Sequence, residues 1–234
     1  MTTVAIILSA GSGVRMGYEI PKQLLPIAGK PVMAYTLMSF ESASQIDEIM
    51  VVSIPSQIGK IEEIARLYAP KKFKKVITGG ATRQESSYLG LNALLNYPDD
   101  TVVLMHDAVR PFVSEDIITR CTEAVREYGA ADVAVPAIDT MIQVEDNFLT
   151  AIPERSKMYN GQTPQGFRLG ILREAHERAR AQGLTNSSDD VRLVSELGKP
   201  VRLVMGSYEN IKITHPSDIV LAEYILSGVK GSPV

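Results

Sequence analysis

Short apolar runs without charge alternate along this chain with segments that carry apolar residues at helical spacing. The first run, Thr3-Val4-Ala5-Ile6-Ile7-Leu8, has the pattern of a strand buried on both faces. Strands are predicted at Val4–Leu8, Glu48–Ser53, Lys75–Thr78, Thr101–Met105, Asp132–Pro136 and Val201–Val204. Helices are predicted between them at Pro31–Glu41, Ser56–Tyr68, Thr82–Asn96, Ser114–Tyr128, Leu169–Gln182 and Asp189–Leu197. A last helix, Pro216–Leu226, opens on a proline and carries Asp218 in its first turn, where a carboxylate suits the helix dipole. Such alternation predicts an α/β fold with a mostly parallel sheet and helices on both faces. Ligands then belong outside the carboxyl ends of the strands.

One region breaks the alternation. From Ile138 to Ile152, apolar and polar residues alternate on both sides of Glu145-Asp146-Asn147, which predicts a β-hairpin with its turn at Asp146-Asn147. An inserted hairpin has little of its own to pack on. Met141, Ile142, Val144, Phe148, Leu149 and Ile152 therefore suit a partner subunit, and a two-fold homodimer through an arm at 138–156 is expected.

Composition narrows the class without changing this picture. The 234 residues are 45% hydrophobic and 22% charged, ordinary for a globular protein, and can bury a substantial core. We read 1–234 as a single domain with the arm protruding from it. A net charge of -3 argues against wholesale nucleic-acid binding. The single Cys121, placed on a helix at a core position, permits no intrachain disulfide. Neither a leader segment nor an apolar stretch of roughly 18–20 residues is evident, so no membrane association and a cytoplasmic location are expected.

Candidate chemistry begins where the first strand ends. Leu8-Ser9-Ala10-Gly11-Ser12-Gly13-Val14-Arg15-Met16-Gly17 runs into Pro21-Lys22-Gln23. A strand entering a Gly-x-Gly turn exposes backbone N–H groups that suit a phosphate, and Arg15 and Lys22 add positive charge for a triphosphate. Met16 stands where the dinucleotide fingerprint needs its third glycine, and the P-loop's Gly-Lys-Ser/Thr is absent. The stretch resembles the nucleotide-binding loop of the sugar-nucleotidyltransferase superfamily.

The fourth strand ends in His106-Asp107-Ala108-Val109-Arg110-Pro111-Phe112. Asp107 faces the same rim as the first loop, and its hard carboxylate suits Mg²⁺ bridging nucleotide phosphates. Arg110 could meet a second anion; an Asp–Arg pair stitching the loop is the plainer alternative. The segment resembles the cytidylyltransferases that act on polyol phosphates. Gly79-Gly80-Ala81-Thr82-Arg83-Gln84-Glu85-Ser86-Ser87 is similar to the stretch through which that family contacts cytosine and ribose, and it also reads as a helix start capped by Thr82 and Glu85. Asn210-Ile211-Lys212-Ile213-Thr214 matches the family's lysine-bearing segment near the reacting phosphates.

The resemblance covers about residues 3–226 and implies a Rossmann-like, GT-A-like nucleotidyltransferase sheet. It implies that Leu8, Ser9, Ala10, Gly11, Ser12, Gly13, Gly80, Arg83, Ser86 and Ala108 bind the nucleotide. It gives Arg15, Lys22 and Lys212 catalytic roles, with Asp107 as the ligand for Mg²⁺ or another divalent cation. Asp107, Arg110, Thr140, Arg155, Thr163 and Ser188 would bind the acceptor, with the hairpin residues arriving from the neighbouring subunit. The implied substrates are CTP and a polyol phosphate. Met158-Tyr159-Asn160-Gly161-Gln162-Thr163-Pro164-Gln165 and Ala81-Thr82-Arg83-Gln84-Glu85-Ser86-Ser87-Tyr88 resemble the enzymes that use D-ribitol 5-phosphate, and Ser188-Asp189-Asp190 through Gly206-Ser207 resembles those that use the branched 2-C-methyl-D-erythritol 4-phosphate. Ribitol 5-phosphate is the leading expectation. No catalytic histidine is expected: His106 should pack, while His176 and His215 are read as surface residues. A nucleotide-sensing domain that kept the fold is the non-enzymatic alternative, and it would be expected to lack Lys22, Asp107 or Lys212.

Overall fold

The computed structural model of the chain describes residues 1–11 and 20–228. The expectations for Ser12, Gly13 and Arg15 lie outside the described residues.

In chain order the elements are β1 (Thr3–Ser9), a tight turn of helix at Lys22–Leu24, the short pair β2 (Pro26–Ile27) and β3 (Lys30–Pro31), α1 (Val32–Ser42), β4 (Glu48–Ser53), α2 (Ile58–Tyr68), β5 (Phe73–Thr78) and α3 (Arg83–Asn92). There follow β6 (Val102–Asp107), α4 (Glu115–Tyr128), β7 (Ala130–Pro136), β8 (Gln143–Glu145), β9 (Phe148–Ala151), β10 (Tyr159–Arg168), α5 (Leu169–Ala181), α6 (Asp190–Glu196), β11 (Arg202–Met205) and α7 (Pro216–Leu226). Seven strands form one sheet in the order β11-β7-β10-β6-β1-β4-β5. It is the mostly parallel sheet expected, with β10 alone running antiparallel to both its neighbours.

The pleat of β1 explains why it reads as an unbroken apolar run. Val4, Ile6 and Leu8 face α3, α5 and α6 through Leu91, Leu172 and Leu193, while Ala5 and Ile7 face α1, α2 and α4 through Leu37, Ile61 and Ile118. Both faces are buried, and between Thr3 and Ser9 at its ends the strand carries no polar residue. Each such side chain contributes about 1.5–3 kcal/mol of burial. A smaller cluster, Leu25, Ile27, Val32, Val109, Ile213 and Ala222, holds the β2–β3 turn and α7 against the rim.

β10 is a strand that apolar periodicity does not predict. Its segment is rich in Gly and Gln and contains Pro164. Pairing on both edges compensates, with β6 on one side and β7 on the other. The register slips between Gly161 and Gln165, so Pro164 sits where no ladder donor is needed. That slip lets Thr163 turn its side chain to the carboxyl end of β6, while Gln162 bonds to Ser207 and Asn210.

The predicted hairpin is present as β8 and β9, with Asp146 and Asn147 both at positive φ, 50° and 67°, as a tight two-residue turn requires. The arm touches little of its own chain: Ile138, Ile142, Val144, Leu149 and Ile152 are exposed, and Phe148 is 76% exposed. Among the described residues, no helix is long and apolar enough to cross a membrane.

Candidate functional site

The site is assembled at the carboxyl rim of β1 and β6. The Ala108 N–H donates to the Leu8 carbonyl at 3.0 Å, which locks the two strand ends together. Gln23, almost wholly buried, donates from Nε2 to the Ser9 carbonyl at 3.0 Å and so draws the turn carrying Lys22 against the end of β1. Leu8, Ser9 and Ala108 have buried side chains, whereas Gly11 is exposed. What this part of the loop can offer a ligand is therefore backbone.

Across β4 the loop before α3 closes on the same place. Gly79 has no room for a side chain: a Cβ there would lie 2.8 Å from the Ala10 Cβ and 3.0 Å from the Ser86 Oγ. Ser86 is buried and its Oγ accepts the Gly80 N–H at 3.1 Å, shaping the turn. Thr82 caps α3 by accepting the Glu85 N–H at 3.1 Å. Glu85 reaches back to the Ala81 N–H at 2.7 Å, one residue before the cap, so the predicted box is displaced by one position.

The open part of the site is a cleft of about 230 Å³ lined by Arg83, Asp107, Arg110, Asp132, Gly161, Gln162, Thr163, Gln165, Ser188, Asp189 and Lys212. Lys212 Nζ lies 2.8 Å from Asp107 Oδ2, and Arg110 Nε lies 3.8 Å from the same oxygen. Burial opposes ionisation of Asp107, but Lys212, Arg83 and Arg110 overcome it and hold the carboxyl at about 2. Arg110 also donates to the carbonyls of Asn210 at 2.8 Å and Gly161 at 3.3 Å, so its guanidinium stitches the loop as well as facing the cleft. These contacts are the loop-stitching reading of Arg110.

His106 packs, as expected, and its proton arrangement follows from its neighbours. The fully buried ring stands edge-on to Phe40 at 4.8 Å between centroids. A carbonyl can only accept, so Nε2, 3.1 Å from the Arg110 carbonyl, carries the hydrogen. Nδ1 then accepts the Thr163 hydroxyl at 3.0 Å, and Thr163 Oγ1 in turn accepts the Asp107 N–H at 3.2 Å. Burial holds the imidazole neutral, with its pKa down at about 4. Thr163 thus anchors the backbone of Asp107.

His176 is not the surface residue expected. It is 1% exposed on α5, and its Nε2 lies 2.9 Å from Asp190 Oδ1. The helical pattern places His176 among Leu172, Ala175 and Ala179, on the buried face, and the partner that makes burial tolerable is distant in sequence. Asp190 also accepts Ser87 Oγ at 2.6 Å and Arg83 NH1 at 2.8 Å. Its backbone N–H donates to Gln165 Oε1 at 3.1 Å, and Gln165 Nε2 donates to Asp132 Oδ1 at 3.3 Å.

Of the residues anticipated from sequence, the cleft unites Arg83, Asp107, Arg110, Thr163, Ser188 and Lys212. Thr140 and Arg155 are not among its lining residues. They lie exposed at the base of the arm, with Arg155 donating to the Ile138 carbonyl at 3.3 Å. Sequence reasoning missed Asp132, Gln162 and Gln165 as site residues. The signals were there: Asp132 is a charged residue inside the apolar strand Ala130–Pro136, and the two glutamines flank the quoted Thr163-Pro164. Among the described residues, no group of three or more His, Cys, Asp or Glu side chains could hold a metal ion by itself.

A family profile described as 2-C-methyl-D-erythritol 4-phosphate cytidylyltransferase matches residues 3–228. The chain is 45% identical over 225 residues to the 2-C-methyl-D-erythritol 4-phosphate cytidylyltransferase of Geobacter metallireducens, covering 95% of this chain and 97% of the relative. It is 38% identical to the bifunctional ribulose 5-phosphate reductase/CDP-ribitol pyrophosphorylase Bcs1 of Haemophilus influenzae, over 94% of this chain and 47% of that protein. Among solved structures, the 4-diphosphocytidyl-2C-methyl-D-erythritol synthase of Anaerococcus prevotii superposes with a TM-score of 0.84 at 33% identity, covering 97% of this chain and 96% of that one. With the cleft that gathers Arg83, Arg110 and Lys212 around Asp107, the retained Lys22 and these end-to-end matches together, the chain belongs to the 2-C-methyl-D-erythritol 4-phosphate cytidylyltransferase family, nucleotidyltransferases that use CTP and a polyol phosphate.

Proposed function

We propose that this enzyme transfers CMP from CTP to 2-C-methyl-D-erythritol 4-phosphate, releasing pyrophosphate and forming the CDP-linked polyol. The observation that carries this reading is the end-to-end match at 45% identity to an enzyme named for that acceptor. It favours the branched polyol over ribitol 5-phosphate, which the Met158–Gln165 segment had put first. Ribitol 5-phosphate remains the second reading, supported by the 38% identity to Bcs1.

In the proposed reaction an oxygen of the acceptor phosphate attacks the α-phosphorus of CTP in line. One phosphorus–oxygen bond forms, the bond to the bridging oxygen breaks, and pyrophosphate leaves with both electrons. A phosphate dianion is already a nucleophile, so no general base is required, which agrees with a His106 held neutral inside the fold. The barrier is the approach of two anions. Lys22 and Lys212 would supply positive charge there, as the sequence resemblance also implies for Arg15, and preorganised charge needs no reorganisation when the reaction occurs. Arg83 and Ser86 serve the nucleotide, and Arg110, Thr163 and Ser188 serve the acceptor.

Asp107 suits a divalent cation only as one ligand among several. Its carboxylate is ionised but already shares Oδ2 with Lys212, so Mg²⁺ would take most of its ligands from the CTP phosphates. Bound there, the ion would neutralise phosphate charge.

The arm supports a homodimer in which Thr140 and Arg155 of one chain complete the acceptor site of the other. Their exposure, and that of Ile142, Phe148 and Leu149 beside them, is what a swapped arm requires.

The test is pyrophosphate release with Mg²⁺ from each of the four nucleoside triphosphates against 2-C-methyl-D-erythritol 4-phosphate, D-ribitol 5-phosphate and glycerol 3-phosphate. CTP with the methylerythritol phosphate should give the highest kcat/KM. A higher value with ribitol 5-phosphate would overturn the acceptor assignment, and no turnover with any acceptor would overturn the activity.

A further inference from the structure

The cleft holds charges of both signs: Lys212, Arg110 and Arg83 line it together with Asp107, Asp132 and Asp189. The cations are committed to other carboxylates, Lys212 and Arg110 to Asp107 and Arg83 to Asp190. Asp189 is likewise occupied: its Oδ1 accepts the Arg192 N–H at 2.8 Å as the cap of α6, and its Oδ2 accepts the Ser188 hydroxyl at 2.8 Å. Asp132 is different. Its carboxylate projects from a strand buried on both sides and takes a hydrogen bond of 3.3 Å from Gln165 Nε2. Burial lifts its pKa to about 6; the Gln165 bond opposes that, the nearby Asp189 charge adds to it, and Arg110 and the Val133 N–H work against it. A carboxylate so placed is under-compensated, which costs folding free energy unless a ligand supplies donors.

From this arrangement we infer that Asp132 is an acceptor-binding residue, its carboxylate receiving hydrogen bonds from the hydroxyl groups of the polyol chain. This rests on the reading of the protein as a polyol-phosphate cytidylyltransferase, and it extends that reading to a residue the sequence motifs did not single out. A phosphate is repelled by Asp132 and by the nearby Asp189, so the phosphate is not the part of the acceptor that Asp132 would take. The other end of a polyol phosphate is a row of hydroxyl donors, and an ionised carboxylate is acceptor-only. Hydroxyl-to-carboxylate bonds are charge-assisted and stronger than neutral ones. Gly161 keeps the approach open: even a Cβ built there would remain 3.9 Å from Asp132 Oδ2. The chain Asp132–Gln165–Asp190–Arg83 then joins Asp132 to the start of α3 through hydrogen bonds.

The experiment is Asp132→Asn in the full chain. Asparagine keeps the volume and can still accept from Gln165, so a purely structural role survives the substitution, while the charge that strengthens hydroxyl binding is lost. Acceptor KM should rise roughly tenfold or more, as for loss of a hydrogen bond to a charged group, with CTP KM and the melting temperature not worsened. Inhibition by glycerol 3-phosphate, which has fewer hydroxyls to offer, should change little. An unchanged acceptor KM overturns the inference. So does a rise in CTP KM instead, which would place Asp132 against the cytosine amino group, or a joint loss of melting temperature and all kinetic constants, which would make it a packing residue. Asp132→Ser provides the same readings if the asparagine chain does not fold. Wild-type kinetics with the methylerythritol and ribitol phosphates separate the two levels: a switch of preferred acceptor removes the substrate assignment, while the Asp132 effect is read on whichever acceptor is used.

Discussion

Arg83 NH1 lies 2.8 Å from Oδ2 of Asp190, and the two residues are 107 positions apart in sequence. The carboxylate is wholly buried and also takes Ser87 and His176, so three donors satisfy one side chain. Burial opposes its ionisation, but Arg83 and His176 hold its pKa well below the usual carboxylate range. This pair fixes the start of α3, and with it the loop of Gly79 and Gly80, to the start of α6.

Removing one partner of such a buried pair leaves an uncompensated charge. Asp190→Ala should therefore destabilise the fold by roughly 3–5 kcal/mol, read as a fall in the urea midpoint with an unchanged slope. A shift of only a few tenths would show that the pair is not coupled to folding.

Lys212→Ala should lower kcat by roughly 10²-fold, because it removes a preorganised charge near the reacting phosphates. It also frees Asp107 from its partner at 2.8 Å, so the pKa of Asp107 should rise. Steady-state kinetics would check the first effect and carboxyl titration by NMR the second.

Asp107 is held at about 2, below its ordinary 3.8, so its contribution to stability is present above about pH 4 and is lost as pH falls toward 2. Between pH 6.5 and 4 two groups oppose one another. His106, lowered to about 4, must gain a proton on unfolding and loses stability for the fold as pH falls. Asp132, raised to about 6, is more stable protonated in the fold and adds stability as pH falls. Wild-type stability should therefore be nearly flat across this window, whereas Asp132→Asn should make it fall with decreasing pH. Urea unfolding at several pH values checks this, and parallel curves would contradict it.

The arm gives a prediction of assembly. Wild-type protein should scatter light as a dimer, and Phe148→Ser combined with Leu149→Ser should yield monomers that still bind CTP but turn over acceptor poorly. A fully active monomeric wild type would remove both the dimer and the shared site.

Much of this protein is decided locally and is legible in the chain itself. Val4–Leu8 has to be a central strand because nothing in it tolerates water, and Asp146-Asn147 between alternating residues has to turn. The α/β class, the arm and the placement of Asp107 and Lys212 near one rim follow from patterns of this kind and from family resemblance. Local pattern does not determine β10, whose glycines, glutamines and Pro164 become a strand only because β6 and β7 supply hydrogen bonds on both edges. Nor does it determine which polar residues are buried. His176 sits on the apolar face of α5 with Asp190, brought in by another helix, as the partner of its Nε2, and Asp132 faces the cleft because β10 lies beside β7. Such positions depend on pairings between residues distant in sequence, and the energy of a buried polar group is set by those partners and not by its neighbours along the chain.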